Sequence, residues 1–207
     1  MIVTVASFKG GQAKTTTAVH LAAFFQEDKP TLLIDGDPNR SATGWAKRKG
    51  LPFRVIDERQ AARFARQYEH IIIDTQARPT QEDLHALADG CDMLVIPVTP
   101  DALSLDALFL ILDALEDIGS RRFRVLLTIV PPRPSRDGEE ARAKLEEVGV
   151  PVLKTSIRRF VAFQKAALQG VPVYQVNDPN AQEGWEEYQQ VGRELLYEVT
   201  DKSAQQI

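Results

Sequence analysis

The stretch Ser7-Phe8-Lys9-Gly10-Gly11-Gln12-Ala13-Lys14-Thr15-Thr16 packs two lysines, a glycine pair and two adjacent threonines into one short segment. Glycines let a backbone fold closely around phosphate oxygens. If a helix follows, its N-terminus and the loop N–H groups face the anion. In such a loop Lys14 places its ammonium near β and γ phosphates and Thr15 offers a hydroxyl to Mg²⁺, while Thr16 at the helix start reaches an α phosphate. Two acidic motifs follow downstream. Asp35-Gly36-Asp37-Pro38-Asn39 ends one apolar run, and Ile71-Ile72-Ile73-Asp74 ends another. The second pattern, β-branched residues closing on an acid, suits a carboxylate that accepts from Mg²⁺-bound water. Mg²⁺ keeps several of its waters, so an outer-sphere acid suffices.

The elements that must position these groups are legible as apolar runs alternating with helical patterns. Strands are expected over 2–6, 31–34, 53–56, 71–73, 93–97, 123–129 and 152–155. Several are near-continuous Val, Ile and Leu, as strands covered on both faces are. Helices are expected over 15–26, 101–118, 139–148, 158–168 and 181–199. This alternation implies βαβ units in a single α/β domain over 1–207, with a doubly wound, mostly parallel sheet flanked by helices. Ligands of such sheets bind at the carboxyl ends of the strands, where the loops after Ala6, Ile34 and Ile73 lie.

The 207 residues, 43% hydrophobic, suffice for one sizeable core. The net charge of −4 excludes a chain that is basic throughout but not a local basic face. The single cysteine, Cys91, excludes an internal disulfide framework and fits a reducing compartment. No apolar run approaches about 18 residues, and no basic leader precedes the first strand. A cytoplasmic protein without a membrane partner is expected.

The loop departs from the ordinary glycine–x4–glycine–lysine pattern, since Phe8 stands where its first glycine belongs. Lys9 to Thr15 instead match the deviant form Lys-Gly-Gly-x-x-Lys-Ser/Thr. On these residues, with the Asp35–Asn39 and Ile71–Asp74 motifs and Leu94 to Asp101, the chain resembles the ParA/MinD family of deviant-Walker P-loop ATPases. The resemblance implies ATP and Mg²⁺ as cofactors, held by Lys9, Gly10, Gly11, Gln12, Ala13, Lys14, Thr15 and Thr16. It makes Lys9, Lys14 and Asp37 catalytic. Lys9 is the lysine that crosses to the partner's nucleotide in an ATP-bound homodimer, and Asp37 orients the attacking water. Thr15, Asp35 and Asp74 form the metal set, and Asp178, Pro179 and Asn180 touch adenine. Thr75 to Pro79 act as a switch loop. Ala13 stands where the family usually has glycine. If that position needs a positive φ, alanine costs on the order of 1 kcal/mol. The short length and the Ser41 to Trp45 stretch resemble the smallest ParA proteins, and the 74–79 stretch is similar to family members that position carboxysomes.

Basic residues gather at Lys154, Arg158, Arg159 and Lys165, on one side of an expected helix beginning near Ser156. Others gather at Arg121, Arg122 and Arg124 and at Lys47, Arg48 and Lys49. The resemblance implies dimer-dependent, non-specific DNA binding on the nucleoid through the first group. It also implies an adaptor protein of ParB or McdB type that stimulates slow hydrolysis while a plasmid, chromosome or protein compartment is positioned. Sequence-specific operator binding is not expected. Two other functions stay open: a MinD-like membrane positioner, disfavoured because 189–207 is acidic and not basic, and a metabolic ATP-dependent enzyme of the same fold.

Overall fold

The computed structural model describes residues 1–48, 50–77 and 79–204. Lys49 of the third basic cluster and Arg78 of the expected switch loop lie outside the described residues, as does the end of the 189–207 segment. The strands are β1 (Ile2–Ser7), β2 (Thr31–Asp35), β3 (Arg54–Asp57), β4 (His70–Ala77), β5 (Met93–Val98) and β6 (Phe123–Leu127). They form one parallel sheet in the order β3-β2-β4-β1-β5-β6. The helices are α1 (Lys14–Gln26), α2 (Ser41–Ala46), α3 (Ala61–Phe64), α4 (Gln81–Asp89), α5 (Ala102–Asp117), α6 (Asp137–Glu147), α7 (Val161–Gln169) and α8 (Ala181–Ala204).

Side chains alternate across the strands, so each strand feeds two cores. Val3, Val5, Met93, Val95 and Leu126 point into one core with α1, α2, α7 and α8. Ala6, Leu94, Ile96, Val98, Val125 and Leu127 point into the other with α4, α5 and α6. Helix α1 is buried nearly all round, between the sheet and α8, which explains its lack of a polar stripe. Register then places the site. Asp35 pairs with Asp74 across β2 and β4, and Val5 pairs with Asp74 across β1 and β4. Both acids and the first loop therefore emerge at one level of the sheet, where the strand order reverses.

Several expectations change, among them the short helices α2 and α3, which the expected set lacks, and the strand expected over 123–129, which ends at Leu127. The segment 152–155 makes one bridge to β6, through Val152 and Val125, and no ladder. Its Lys154 and Thr155 N–H groups donate instead to the Glu194 carboxylate on α8, at 2.7 and 3.0 Å. The helix expected over 158–168 begins only at Val161, because Arg158 and Arg159 run beside Val130, Arg159 N donating to Val130 O. Helix α4, absent from the expected set, starts at a reciprocal cap. Thr80 Oγ1 accepts from Asp83 N, and Asp83 Oδ2 accepts from Thr80 N. The Thr-x-x-Asp spacing was the available signal.

Candidate functional site

The loop after β1 turns sharply at Gly11 (φ 82°) and again at Ala13 (φ 58°, ψ 25°) before α1 starts at Lys14. Ala13 therefore holds the left-handed conformation that glycine adopts freely, at a cost on the order of 1 kcal/mol. A Cβ on Gly10 or Gly11 would meet nothing within 4 Å. The loop thus faces open space with its main chain, as a phosphate cradle must.

Lys14 Nζ, almost fully buried, lies 3.1 Å from Asp37 Oδ2 and 3.0 Å from Asp74 Oδ1. Thr15 Oγ1 donates to the other Asp74 oxygen at 2.7 Å. One cation, one hydroxyl and two carboxylates from three strand ends therefore meet at the N-terminus of α1. Burial pushes the Asp74 carboxyl up, and Lys14 and Thr15 only partly offset it. Burial acts the same way on Asp37. There the N–H of Asn39, hydrogen bonds from Lys14 and Asn39 and the Lys14 charge outweigh it, and its carboxyl stays below the usual range.

Asp35, placed by the resemblance in the metal set, has both carboxylate oxygens engaged by its own loop. One oxygen accepts from Thr43 N (2.8 Å) and Thr43 Oγ1 (2.6 Å), the other from Asp37 N (3.2 Å). It holds the loop that carries Asp37. Arg40, at φ 53°, helps from outside. Its N–H donates to Asp37 O, its Nη1 to Asp35 O at 2.6 Å, and its Nη2 pairs with Asp57 at 2.9 Å. A side chain at Gly36 would be tight, since a Cβ would lie 3.2 Å from both Asp74 O and Glu58 Oε2. Neither Thr43 nor Arg40 was singled out from sequence.

Lys9 sits at the rim with about a third of its side chain exposed. Its Nζ donates to Ser104 Oγ (3.0 Å) and approaches Asp101 Oδ1 (3.4 Å). Gln12, counted with the nucleotide contacts, uses its buried amide to tie the loop to the start of α5. It accepts from Thr99 N at 2.7 Å and donates to Ser104 Oγ at 3.1 Å. Partial burial would raise Asp101, but hydrogen bonds from Ser104, Thr99 and Lys9 prevail and bring its pKa down to about 2.

Beside Gly11, Ala13 and Thr16 opens a cavity of about 300 Å³ walled by Ile129, Ile157, Phe160, Phe163 and Tyr188. Asp178, Pro179 and Asn180 are not among its lining residues. Asp178 instead accepts from Lys165 Nζ (2.7 Å) and Asn180 N (3.0 Å).

The parallel sheet flanked by helices agrees with the comparisons to known proteins. The CobQ/CobB/MinD/ParA nucleotide binding domain description matches residues 3–173. The chain belongs to this family. A maintenance of carboxysome distribution protein A of Gloeobacter kilaueensis is 35% identical over 94% of this chain and 93% of its own length. Among solved structures, a putative plasmid partition protein from Borrelia burgdorferi bound to AMPPNP superposes with a TM-score of 0.73 at 17% identity, over 95% of this chain and 98% of that one. A Cyanothece apo McdA structure gives 0.70 at 19% identity, over 94% and 98%. These structural likenesses show the fold.

The basic residues of this ParA/MinD-family chain divide into two kinds. Arg158 pairs with Glu187 and, at 2.6 Å, with Glu183, and Lys165 pairs with Asp178. Lys154 and Arg159 are exposed, and neither side chain has a carboxylate partner among the described residues. Since Arg158 and Arg159 precede α7, the expected shared helix face with Lys165 does not form. Among the described residues no helix is long and apolar enough to cross a membrane.

Proposed function

We propose that this chain is an ATP-dependent dimerising switch that binds DNA non-specifically and positions a cargo, with adaptor-stimulated hydrolysis. The observation that carries the reading is the placement of Lys14 between Asp37 and Asp74, with the Thr15 hydroxyl on Asp74. Among the described residues no cluster of three or more His, Cys, Asp or Glu could hold a metal alone. That suits Mg²⁺, which takes one or two protein oxygens and completes its shell with phosphate and water. Bound Mg²⁺–ATP supplies the transferable γ-phosphoryl group.

The chain's own groups have these roles. Gly10, Gly11, Gln12 and Ala13 direct main-chain N–H groups toward the phosphates, and Lys14 balances their charge. Thr15 would be the inner ligand of a bound metal and Asp74 would accept from its water. Asp37, ionised and fixed by Asn39, accepts from the attacking water and orients it, a positioning role more than strong base chemistry. The apolar cavity beside Thr16 suits a planar base, with Asp178 to Asn180 outside it. Among the described residues the Lys9 ammonium meets Asp101 and Ser104, and it is the group that crosses to a second subunit's triphosphate. Asp35 acts through the Asp37 loop.

Within the 154–165 group, Lys154 and Arg159 have no carboxylate partner among the described residues and are the cations for DNA phosphates, and a dimer doubles their number. Affinity then falls with salt by roughly 0.9 log units per phosphate neutralised, for each tenfold increase. The similarity to a carboxysome distribution protein favours a protein compartment in the cytoplasm as cargo. DNA retardation tests the reading. Retardation is expected with ATP or a non-hydrolysable analogue and not with ADP; equal retardation in all three contradicts it.

A further inference from the structure

Between β3 and β4 the chain makes one almost continuous helical run: a 3-10 turn at Glu58–Gln60, then α3, then a second 3-10 turn at Ala65–Gln67. Its inner side is apolar, with Ala61, Phe64 and Tyr68 packed on Leu32, Ile34 and Ile56. Its outer side carries Arg59, Arg63 and Arg66 at spacings of four and three, which place side chains on one side of a helix. A fourth arginine, Arg54, joins them from β3. Its guanidinium lies 3.8 Å from the centre of the Phe64 ring, and that of Arg63 lies 5.1 Å from it. All four arginines are exposed, and none has a carboxylate partner among the described residues. The acids of the same segment are paired with cations outside it. Asp57 meets Arg40 at 2.9 Å, Glu58 meets Arg40 at 3.9 Å and Glu69 meets Lys29 at 3.9 Å. A chain of net charge −4 thus leaves four positive charges uncompensated on one surface.

We infer that this surface docks an acidic segment of a partner protein, one whose Asp or Glu side chains recur at helical spacing and meet Arg59, Arg63 and Arg66 together. The residue type favours such a ligand. A guanidinium offers two parallel N–H groups to a carboxylate, and it is more weakly hydrated than an ammonium. The Phe64 ring, itself packed on the core, holds two of the four arginines by cation–π contact, so less freedom is lost on docking. Charge complementarity and size select the occupant. From 59 to 66 the helical run rises only about 10 Å. It is bracketed by Asp57 and Glu58 at one end and by Glu69 at the other. A nucleic-acid duplex, with one charge for about every 1.7 Å of its axis, would run past both ends across those carboxylates. A short acidic segment stops between them. A second copy docked about a two-fold axis would set arginine against arginine. The place in the fold separates this surface from the proposed DNA contacts. Side chains alternate across β2, with Leu33 in the core that holds α7 and with Leu32 and Ile34 under α3. The two surfaces thus belong to opposite layers of the sheet, and the docking does not rest on the proposed switch.

Two labelled synthetic helical peptides test it, one with glutamates at spacings of four and three on an alanine background and one with every glutamate replaced by lysine. Fluorescence anisotropy is read at low salt against the full-length protein without ATP, beside a labelled DNA duplex. The glutamate peptide is expected to bind, with affinity about tenfold weaker for the pair Arg63→Glu and Arg66→Glu. The same pair is expected to gain binding of the lysine peptide, which a merely misfolded variant would not do. No binding of the glutamate peptide by the parent, or unchanged affinity in the pair, overturns the proposal. So does ATP-free duplex binding that is tighter than the peptide's and lost in the pair, because the occupant would then be nucleic acid. Self-association that the pair abolishes overturns it too, because the occupant would then be a second copy. ATP-dependent DNA retardation of the pair is expected to match the parent; a lost shift would assign these arginines to DNA and overturn the docking. Peptide binding by a parent protein that shows no ATP-dependent DNA shift would overturn the proposed function and leave this surface standing.

Discussion

The triphosphate end of the molecule and the basic segment before α7 both concentrate charge, but they resolve it in opposite ways. At the first, Lys14, Asp37 and Asp74 are buried and paired with one another, leaving the excess negative charge of two acids against one base. That cluster is set to exchange partners with an anion and a divalent cation. At the second, Arg158 and Lys165 are neutralised by α8 acids and by Asp178, while Lys154 and Arg159 have no carboxylate partner among the described residues. Proximity in sequence is thus a guide to function only where the fold leaves the charge uncompensated.

The largest effect belongs to the first region. Lys14→Ala should weaken ATP binding by on the order of 100-fold, read by calorimetry, because it removes a nearly buried charge-assisted contact. It also leaves Asp37 and Asp74 without their shared cation. A variant that bound ATP normally would show that the cluster is only structural.

The second region separates next. Lys154→Ala and Arg159→Ala should each lower the slope of log affinity against log salt by about 1, because each leaves one DNA phosphate without its cation. Arg158→Ala should leave that slope unchanged. It should cost stability instead, about 1–2 kcal/mol after allowance for solvent screening, by leaving Glu187 without its partner. Denaturant melts and DNA titrations of the three variants, compared at matched salt, make the distinction.

A pH-dependent effect lies between the regions, at His20 one turn beyond Thr16. Its Nδ1 meets Thr16 O at 2.7 Å, its Nε2 accepts from Val173 N at 3.0 Å, and its ring stacks on Tyr188. Burial brings its pKa from 6.5 down to about 4, against the hydrogen bond to Thr16. The unfolded chain therefore binds the proton first as pH falls. This contribution to stability is complete above about pH 6.5 and declines toward pH 4, by up to roughly 3 kcal/mol. Melts over that range should lose the slope in His20→Gln. The smallest effect is at Ala13, where glycine relieves the left-handed strain. Ala13→Gly should stabilise the fold by at most about 1 kcal/mol, read as a shift in denaturant midpoint.

Much of the first region was readable because its motifs are contiguous. Lys9 to Thr16 announce a loop between strand and helix, and Ile71 to Asp74 announce a strand ending in an acid. Their partners were not readable, because they depend on strand order. Lys9 meets Ser104 and Gln12 meets Thr99 only because β5 lies beside β1. The contact of Asp35 with Thr43, eight residues on, has no local signature either. The 152–155 run had the apolar look of a strand, but its N–H groups found Glu194 on a helix far along the chain. In each case long-range packing decided what local pattern left open.

The central claim is that two chains close on a pair of triphosphates, with each Lys9 leaving Asp101 and Ser104 to complete the other's site. Sedimentation of Asp37→Ala with saturating Mg²⁺–ATP, against the same protein carrying Lys9→Ala, tests it most directly. A stable dimer that reverts to monomer when Lys9 is removed is the predicted result. A monomer in both, or a dimer in both, would contradict the account.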